Sequence, residues 1–253
     1  MKTDDLTMIA PGIRNRLNVV PVEEWPLFKK RPLVIAGPCS AESEEQVLAT
    51  AAALSASGRV DLFRAGIWKP RTRPGQFEGV GSPGLRWLRR VKDEYGLPVA
   101  VEVATERHVY EALKHGVDAV WIGARTSVNP FAMHEIASAL KDSDVMVFVK
   151  NPVNPDLELW IGALERISRA GITRIAAVHR GFSTWEKCSF HNQPRWQIAV
   201  ELRQRIPGIG LLCDPSHMGG DRDFIGDLSQ KAMDLHYDGL MIESHINPAG
   251  ALS

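Results

Sequence analysis

Cysteine is scarce in this sequence. Cys39, Cys188 and Cys213 are the only three in 253 residues, and none forms a Cys-x-x-Cys pair. That excludes a disulfide-stapled scaffold or a zinc ribbon and suits a reducing compartment. An excess of either charge is also missing. Thirty Lys and Arg balance thirty Asp and Glu, which leaves no electrostatic footprint for nucleic acid or for an anionic membrane. No apolar run approaches the ~20 residues of a transmembrane helix. The start, Met1 to Leu6, carries early acid and no apolar h-region, so no signal peptide is visible. A dinucleotide fingerprint is lacking after the first strand. Gly79-x-Gly81-x-x-Gly84 matches it literally, but it comes after a Pro/Gly-rich loop, and it reads as a flexible connection. A cytoplasmic, soluble protein is expected. The 44% apolar and 24% charged content is ordinary for a globular chain.

What is present is rhythm. Residues 1–30, with prolines at 11, 21 and 26, read as an irregular arm or a short hairpin covering one end of the domain. From residue 31 short apolar runs alternate with helical segments. Leu33-Val-Ile-Ala-Gly37 is followed by an alanine-rich helix over 44–57, with Ser43 as its N-cap. Seven further strand runs begin near Asp61, Pro98, Asp118, Val145, Thr173, Gly208 and Gly239. Alternation of this kind predicts βα units and a parallel sheet. Eight units in this length fit an α/β fold of the (β/α)8 TIM barrel type over residues 31–253, with an open doubly wound sheet as the alternative. Only seven helices accompany the eight strands. The ten residues after Glu243 end at Ala-Leu-Ser253, and they read as an interruption before an eighth helix.

In such a barrel the functional groups collect at the C-terminal ends of the strands. Here that rim receives Cys39, Arg64, Lys69, Glu102, Arg125, Lys150, His179, Arg180, Asp214, His217 and Glu243 in strand order. With Arg71, six cations converge on one mouth in a chain of zero net charge. The set predicts a polyanion, phosphate plus carboxylate, although a lone strand-end arginine is more often ion-paired to a neighbouring acid. Cys39, His217 and Glu243 fall on strands that closure brings together. A thiolate, an imidazole and a carboxylate in one place point to a divalent transition metal, where each alone would be core filler or a satisfied polar group. His108, His134 and His191 read as surface residues, and Trp160, Trp185 and Trp196 as packing.

These residues resemble a known family. Ala36-Gly-Pro-Cys-Ser40, Arg64 with Lys69-Pro-Arg-Thr72, Ile122-Gly-Ala-Arg125, Lys150, His179-Arg-Gly181, Asp214-Pro-Ser-His217-x-Gly-Gly220 and Ile242-Glu243 are similar, in order and spacing, to 3-deoxy-D-arabino-heptulosonate 7-phosphate (DAHP) synthases of the type I-beta branch. The resemblance covers roughly residues 31–253. It implies a transferase that condenses phosphoenolpyruvate with erythrose 4-phosphate to give DAHP and phosphate, the entry step of the shikimate pathway and aromatic amino acid biosynthesis. It implies metal ligands at Cys39, His217 and Glu243. The metal would be divalent, with Mn2+ the leading expectation and Fe2+, Co2+ or Zn2+ as alternatives. The family's fourth ligand is an aspartate directly after Ala-Leu-Ser. Arg64, Lys69, Arg125, Lys150 and Arg180 are implied to hold phosphoenolpyruvate, and Arg71 and Thr72 the aldose phosphate, with Asp214 counted in the substrate-binding set. Lys69 is the expected proton donor, its pKa lowered by crowded cations, and Glu102 the residue that orients or deprotonates water. The Lys-Pro-Arg-Thr motif separates the chain from the sister 3-deoxy-D-manno-octulosonate 8-phosphate synthases, which use arabinose 5-phosphate and typically carry Lys-Ala-Asn-Arg. A homo-oligomer is expected, and a chorismate mutase domain C-terminal to the barrel is a further expectation. The alternative readings are the arabinose-using synthase and a non-catalytic barrel partnering a mutase.

Overall fold

The computed structural model describes residues 17–71, 73–186 and 188–252. Its strands are β1 (Leu33–Gly37), β2 (Leu62–Ala65), β3 (Val99–Val103), β4 (Ala119–Ile122), β5 (Met146–Lys150), β6 (Ile175–His179), β7 (Gly210–Cys213) and β8 (Gly239–Glu243). All eight pair in parallel and in chain order, and β8 closes onto β1 in the register Leu33↔Gly239 to Gly37↔Glu243. The expected TIM barrel is therefore observed, and the open-sheet alternative is excluded by the β8–β1 ladder.

Among the described residues seven helices clothe the strands: α1 (Glu44–Ser57), α2 (Pro83–Tyr95), α3 (Glu106–Lys114), α5 (Pro130–Leu140), α6 (Leu157–Arg169), α7 (Trp196–Arg205) and α9 (Ile225–Asp234). Their starts are set by capping chemistry. Ser43, Thr105 and Asp156 each accept a hydrogen bond from a first-turn N–H, at Gln46, His108 and Leu159. Two helices were not anticipated, α4 (Ala124–Ser127) and α8 (Pro215–Gly219). Each is too short to show a 3.6-residue period, and each sits directly after a strand, so each aims residues at the mouth. Among the described residues a 3-10 turn, Pro248–Gly250, comes after β8.

Strand parity sorts the core. Alternate side chains of a strand face opposite sides of the sheet. Leu33, Ile35, Leu62, Ala100, Trp121, Phe148, Val178, Leu212 and Met241 pack inside the barrel. Phe63, Val101, Val120, Val149, Ala177, Leu211 and Leu240 pack outward against the helices. At the bottom, Val22, Trp25 and Leu27 join the inner cluster, with the Trp25 ring 5.6 Å from that of Phe148. These residues of the segment preceding β1 plug the barrel's lower end; residues 1–16 of the expected arm lie outside the described residues. No described helix is long and apolar enough to cross a membrane.

Candidate active site

The same parity, carried past the apolar layers, aims Arg64, Glu102, Lys150, Arg180, Asp214 and Glu243 inward at the top of the barrel. A cavity of about 510 Å³ opens there, lined by Cys39, Arg64, Lys69, Arg71, Glu102, Arg125, Lys150, Arg180, His217 and Glu243 among others. All six cations expected to converge thus do so, alongside all three expected metal ligands. Thr72 lies outside the described residues.

Two glycines set the spacing. A Cβ at Gly66 would lie 2.2 Å from the Cys39 carbonyl oxygen, so only glycine lets the β1 and β2 ends approach this closely. The result is a Lys69 Nζ that donates to Cys39 Sγ at 3.1 Å and lies 3.6 Å from Glu102 Oε2. A Cβ at Gly123 would lie 2.3 Å from Glu102 Oε1, so the carboxylate rests against bare backbone after β4.

Ligand atoms of Cys39, His217 and Glu243 all lie within 4.8 Å of one another, and Cys39 Sγ is 3.5 Å from His217 Nε2. His217 sits in the first turn of α8. Its Nδ1 and its backbone N–H both bond Asp214 Oδ1, each at 3.0 Å. A carboxylate on Nδ1 fixes the proton there and leaves the Nε2 lone pair facing the cavity, the arrangement a metal-binding imidazole needs. Burial raises the Cys39 thiol, but Lys69 and His217 outweigh it and hold it well below the ordinary thiol range. A thiolate, an oriented imidazole and a carboxylate fit a divalent transition metal.

The cations are held differently. Arg64 is fully buried, its guanidinium carbon 5.0 Å from the Trp121 ring centroid, and its Nε and Nη1 have no hydrogen-bond partner. Buried donors without acceptors are costly, and an anionic ligand would satisfy them. Lys150 Nζ donates to Asp214 Oδ2 at 2.7 Å. Burial pulls the Lys150 ammonium below its ordinary value despite that partner, and burial likewise lowers Arg180. Asp214 itself is driven well below the carboxylate range, because His217 and Lys150 outweigh the effect of its burial.

Residues 29–253 match the DAHP synthetase I family. The chain belongs to that family. The phospho-2-dehydro-3-deoxyheptonate aldolase of Thermotoga maritima is 34% identical over 220 residues, covering 87% of this chain and 63% of that protein. Its crystal structure superposes with a TM-score of 0.78, covering 87% of this chain and 62% of the other. A truncated form of the 3-deoxy-D-arabino-heptulosonate 7-phosphate synthase from the same organism also gives 0.78, at 30% identity, over 93% of this chain and 84% of that one. The 2-dehydro-3-deoxyphosphooctonate aldolase of Variovorax paradoxus is 29% identical over 244 residues, covering 87% of this chain and 82% of that protein. The chain therefore spans just under two thirds of the full-length Thermotoga protein.

Several expectations for this DAHP synthetase I family chain need correction. Lys69 is not lowered: burial does pull it down, but the Cys39 thiolate and Glu102 outweigh that and raise it. Counting cations alone overlooked these two anions. Asp214 does not line the cavity. It lies fully buried beneath it, tying Lys150 to His217. His179 ends β6 with outward parity, among Trp160, Phe182, Trp196 and Tyr237, and its Nδ1 pairs with the Tyr237 hydroxyl at 2.8 Å. Trp185 is fully exposed rather than packed. His191 lines the mouth, and His108 is half-buried, stacked on Trp68 at 4.2 Å. The Gly79 to Gly84 stretch is pinned: Gly81 N donates to Ile67 O and Lys69 N to Glu78 O, both at 2.8 Å, so it braces the Lys69 loop. Arg71 already spends two donors on carbonyls, of Phe77 and Leu252. Gln76, Asn192 and Ser216 also line the cavity. Sequence reasoning missed them; for Ser216 the signal was its place in Asp-Pro-Ser-His.

Proposed function

We propose that this barrel catalyses the condensation of phosphoenolpyruvate with erythrose 4-phosphate, releasing DAHP and inorganic phosphate, and that it works in the cytoplasm. The observation that carries the reading is the convergence of six cations and a thiolate–imidazole–carboxylate trio on one 510 Å³ cavity. Family membership and the Lys69-Pro70-Arg71-Thr72 motif support the choice of four-carbon aldose.

Arg64, Lys69, Arg125, Lys150 and Arg180 hold the phosphate and carboxylate of phosphoenolpyruvate, and Arg71 with Thr72 the aldose phosphate. Fixing both substrates in attack geometry removes much of the barrier. A divalent ion held by Cys39, His217 and Glu243 supplies Lewis acidity at the aldehyde oxygen when bound. The enol carbon C3 bonds to the aldehyde carbon, and the aldehyde oxygen takes a proton. Lys69, kept as an ammonium by Cys39 and Glu102, is the donor. The attack leaves C2 electron-poor; water adds there, one proton passing to Glu102, and the C2 hydroxyl so formed collapses to the keto group as the C2–O bond to phosphate breaks, its proton leaving with the phosphate.

Phosphoenolpyruvate consumption with erythrose 4-phosphate against arabinose 5-phosphate, in Mn2+-loaded full-length protein, tests this reading. Turnover with erythrose 4-phosphate alone is expected. Preference for arabinose 5-phosphate would make the protein an octulosonate synthase like its Variovorax relative, and turnover with neither would support a non-catalytic barrel.

A further inference from the structure

We propose that Asn192 is a positioning residue that ties the Arg180 guanidinium to the backbone of the helix bearing His217, holding the phosphate-binding and metal-binding sides of the cavity in fixed register. The inference rests on the roles given above to Arg180 and His217.

Asn192 comes from the long β6–α7 loop, which no periodicity marks, yet it is only 5% exposed. Its Oδ1 accepts from Arg180 Nη1 at 2.8 Å, and its Nδ2 donates to the His217 carbonyl at 2.6 Å. The amide orientation is forced by its partners, because a guanidinium only donates and a carbonyl only accepts. The backbone joins in: Asn192 N donates to Met218 O at 3.0 Å and His191 N to Gly219 O at 3.1 Å. The final carbonyls of a helix lack intrahelical partners. Here three successive carbonyls of α8 are satisfied by two adjacent loop residues. The other side of Asn192 is closed by Gly181, where a Cβ would lie 2.8 Å from the Asn192 carbonyl oxygen. Arg180 N in turn donates to Asn151 Oδ1 at 2.7 Å, so the β6 end is fixed at its backbone by Asn151 and at its side chain by Asn192. No other side chain of this volume offers one acceptor and one donor to these two partners. Aspartate lacks the donor, alanine lacks both groups, and glutamine is longer by a methylene.

The test uses Asn192→Ala and Asn192→Asp in the full-length protein. Mn2+ affinity is read by electron paramagnetic resonance titration, phosphoenolpyruvate affinity by calorimetry, and the thermal midpoint is measured beside them. Both variants are expected to bind Mn2+ about ten-fold more weakly, the scale of loss for groups that orient a metal ligand. Asn192→Ala should also weaken phosphoenolpyruvate several-fold. Aspartate fills the same volume, so a loss shared by both variants traces to the missing donor. Unchanged Mn2+ affinity in either variant overturns the proposal, as does a lowered midpoint with both affinities intact. Neither binding readout needs an aldose. If the wild type condenses neither aldose while these shifts appear, the proposed reaction fails and the positioning role stands; a wild type that binds no Mn2+ overturns both.

Discussion

Asp214→Asn is the perturbation that probes the site most sharply, because it alters one charge and almost no volume. Asp214 is fully buried and accepts from Lys150 Nζ at 2.7 Å, from His217 N at 3.0 Å and from His217 Nδ1 at 3.0 Å. In the amide, one oxygen can still serve the His217 side. The other position becomes an NH2 facing the Lys150 ammonium, donor against donor, and the ammonium is left buried without its counter-charge. Breaking a buried pair from one side costs about 3–5 kcal/mol. For a domain of this size each kcal/mol moves the thermal midpoint by about 2–4 °C, so a fall of roughly 6–20 °C is expected in metal-free protein. His217 loses its charged orienter at the same time, and Mn2+ affinity should fall about 10–100-fold. Differential scanning calorimetry of chelator-treated protein and Mn2+ titration read the two effects separately. A midpoint within about 2 °C of wild type, with Mn2+ affinity unchanged, would refute the reasoning that Asp214 supports both sides of the cavity.

Lys69→Ala should abolish turnover with the circular dichroism spectrum unchanged; near-normal rates would remove Lys69 from the chemistry. Gly66→Ala forces a methyl to 2.2 Å from the Cys39 carbonyl. The β1 end must shift, at about 1–3 kcal/mol and with weakened Mn2+ binding; wild-type values for both would show that the close approach is unimportant. Burial lowers His179 from 6.5 to about 3, so between those pH values the unfolded chain binds a proton that the folded chain does not. Stability from this group is therefore complete above pH 6.5 and is lost as pH falls towards 3, by roughly 4 kcal/mol through linkage. Urea denaturation across that range should show His179→Gln losing less stability than wild type on acidification, and parallel curves would count against a buried neutral imidazole.

The barrel was legible because one physical rule repeats eight times. A strand buried on both faces is an apolar run, and a helix that covers it needs a cap and a 3.6-residue stripe. Ser43, Thr105 and Asp156 announce three of those helices directly. α4 and α8 escaped because four or five residues are too few for any period. The residues at the strand-to-helix junction place them, rather than any pattern of their own: Gly123 before one, Asp214-Pro215 at the start of the other.

The site was legible where strand parity alone aims a residue, and less so where a partner decides its state. Arg64, Glu102, Lys150 and Glu243 could be set on the rim from their place in a strand, whereas His179 shows the limit of naming strand ends without counting parity. One position before Arg180, it faces the aromatic layer instead of the cavity. Lys69 shows a second limit. Its spacing from Arg64 and Arg71 implied mutual repulsion, but the side chain meets Cys39 at 3.1 Å and Glu102 at 3.6 Å, contacts set by long-range closure of β1 and β3 around β2. Asn192 shows a third. Its amide carries no charge, no period and no motif, and its meaning lies in Arg180 twelve residues back and His217 twenty-five residues ahead. Charge and periodicity are local properties of a chain, while satisfaction of hydrogen-bonding groups is a property of the closed fold. The residues that carry the chemistry are therefore the more visible ones, and those that hold them in register emerge only when each buried donor is matched to its acceptor.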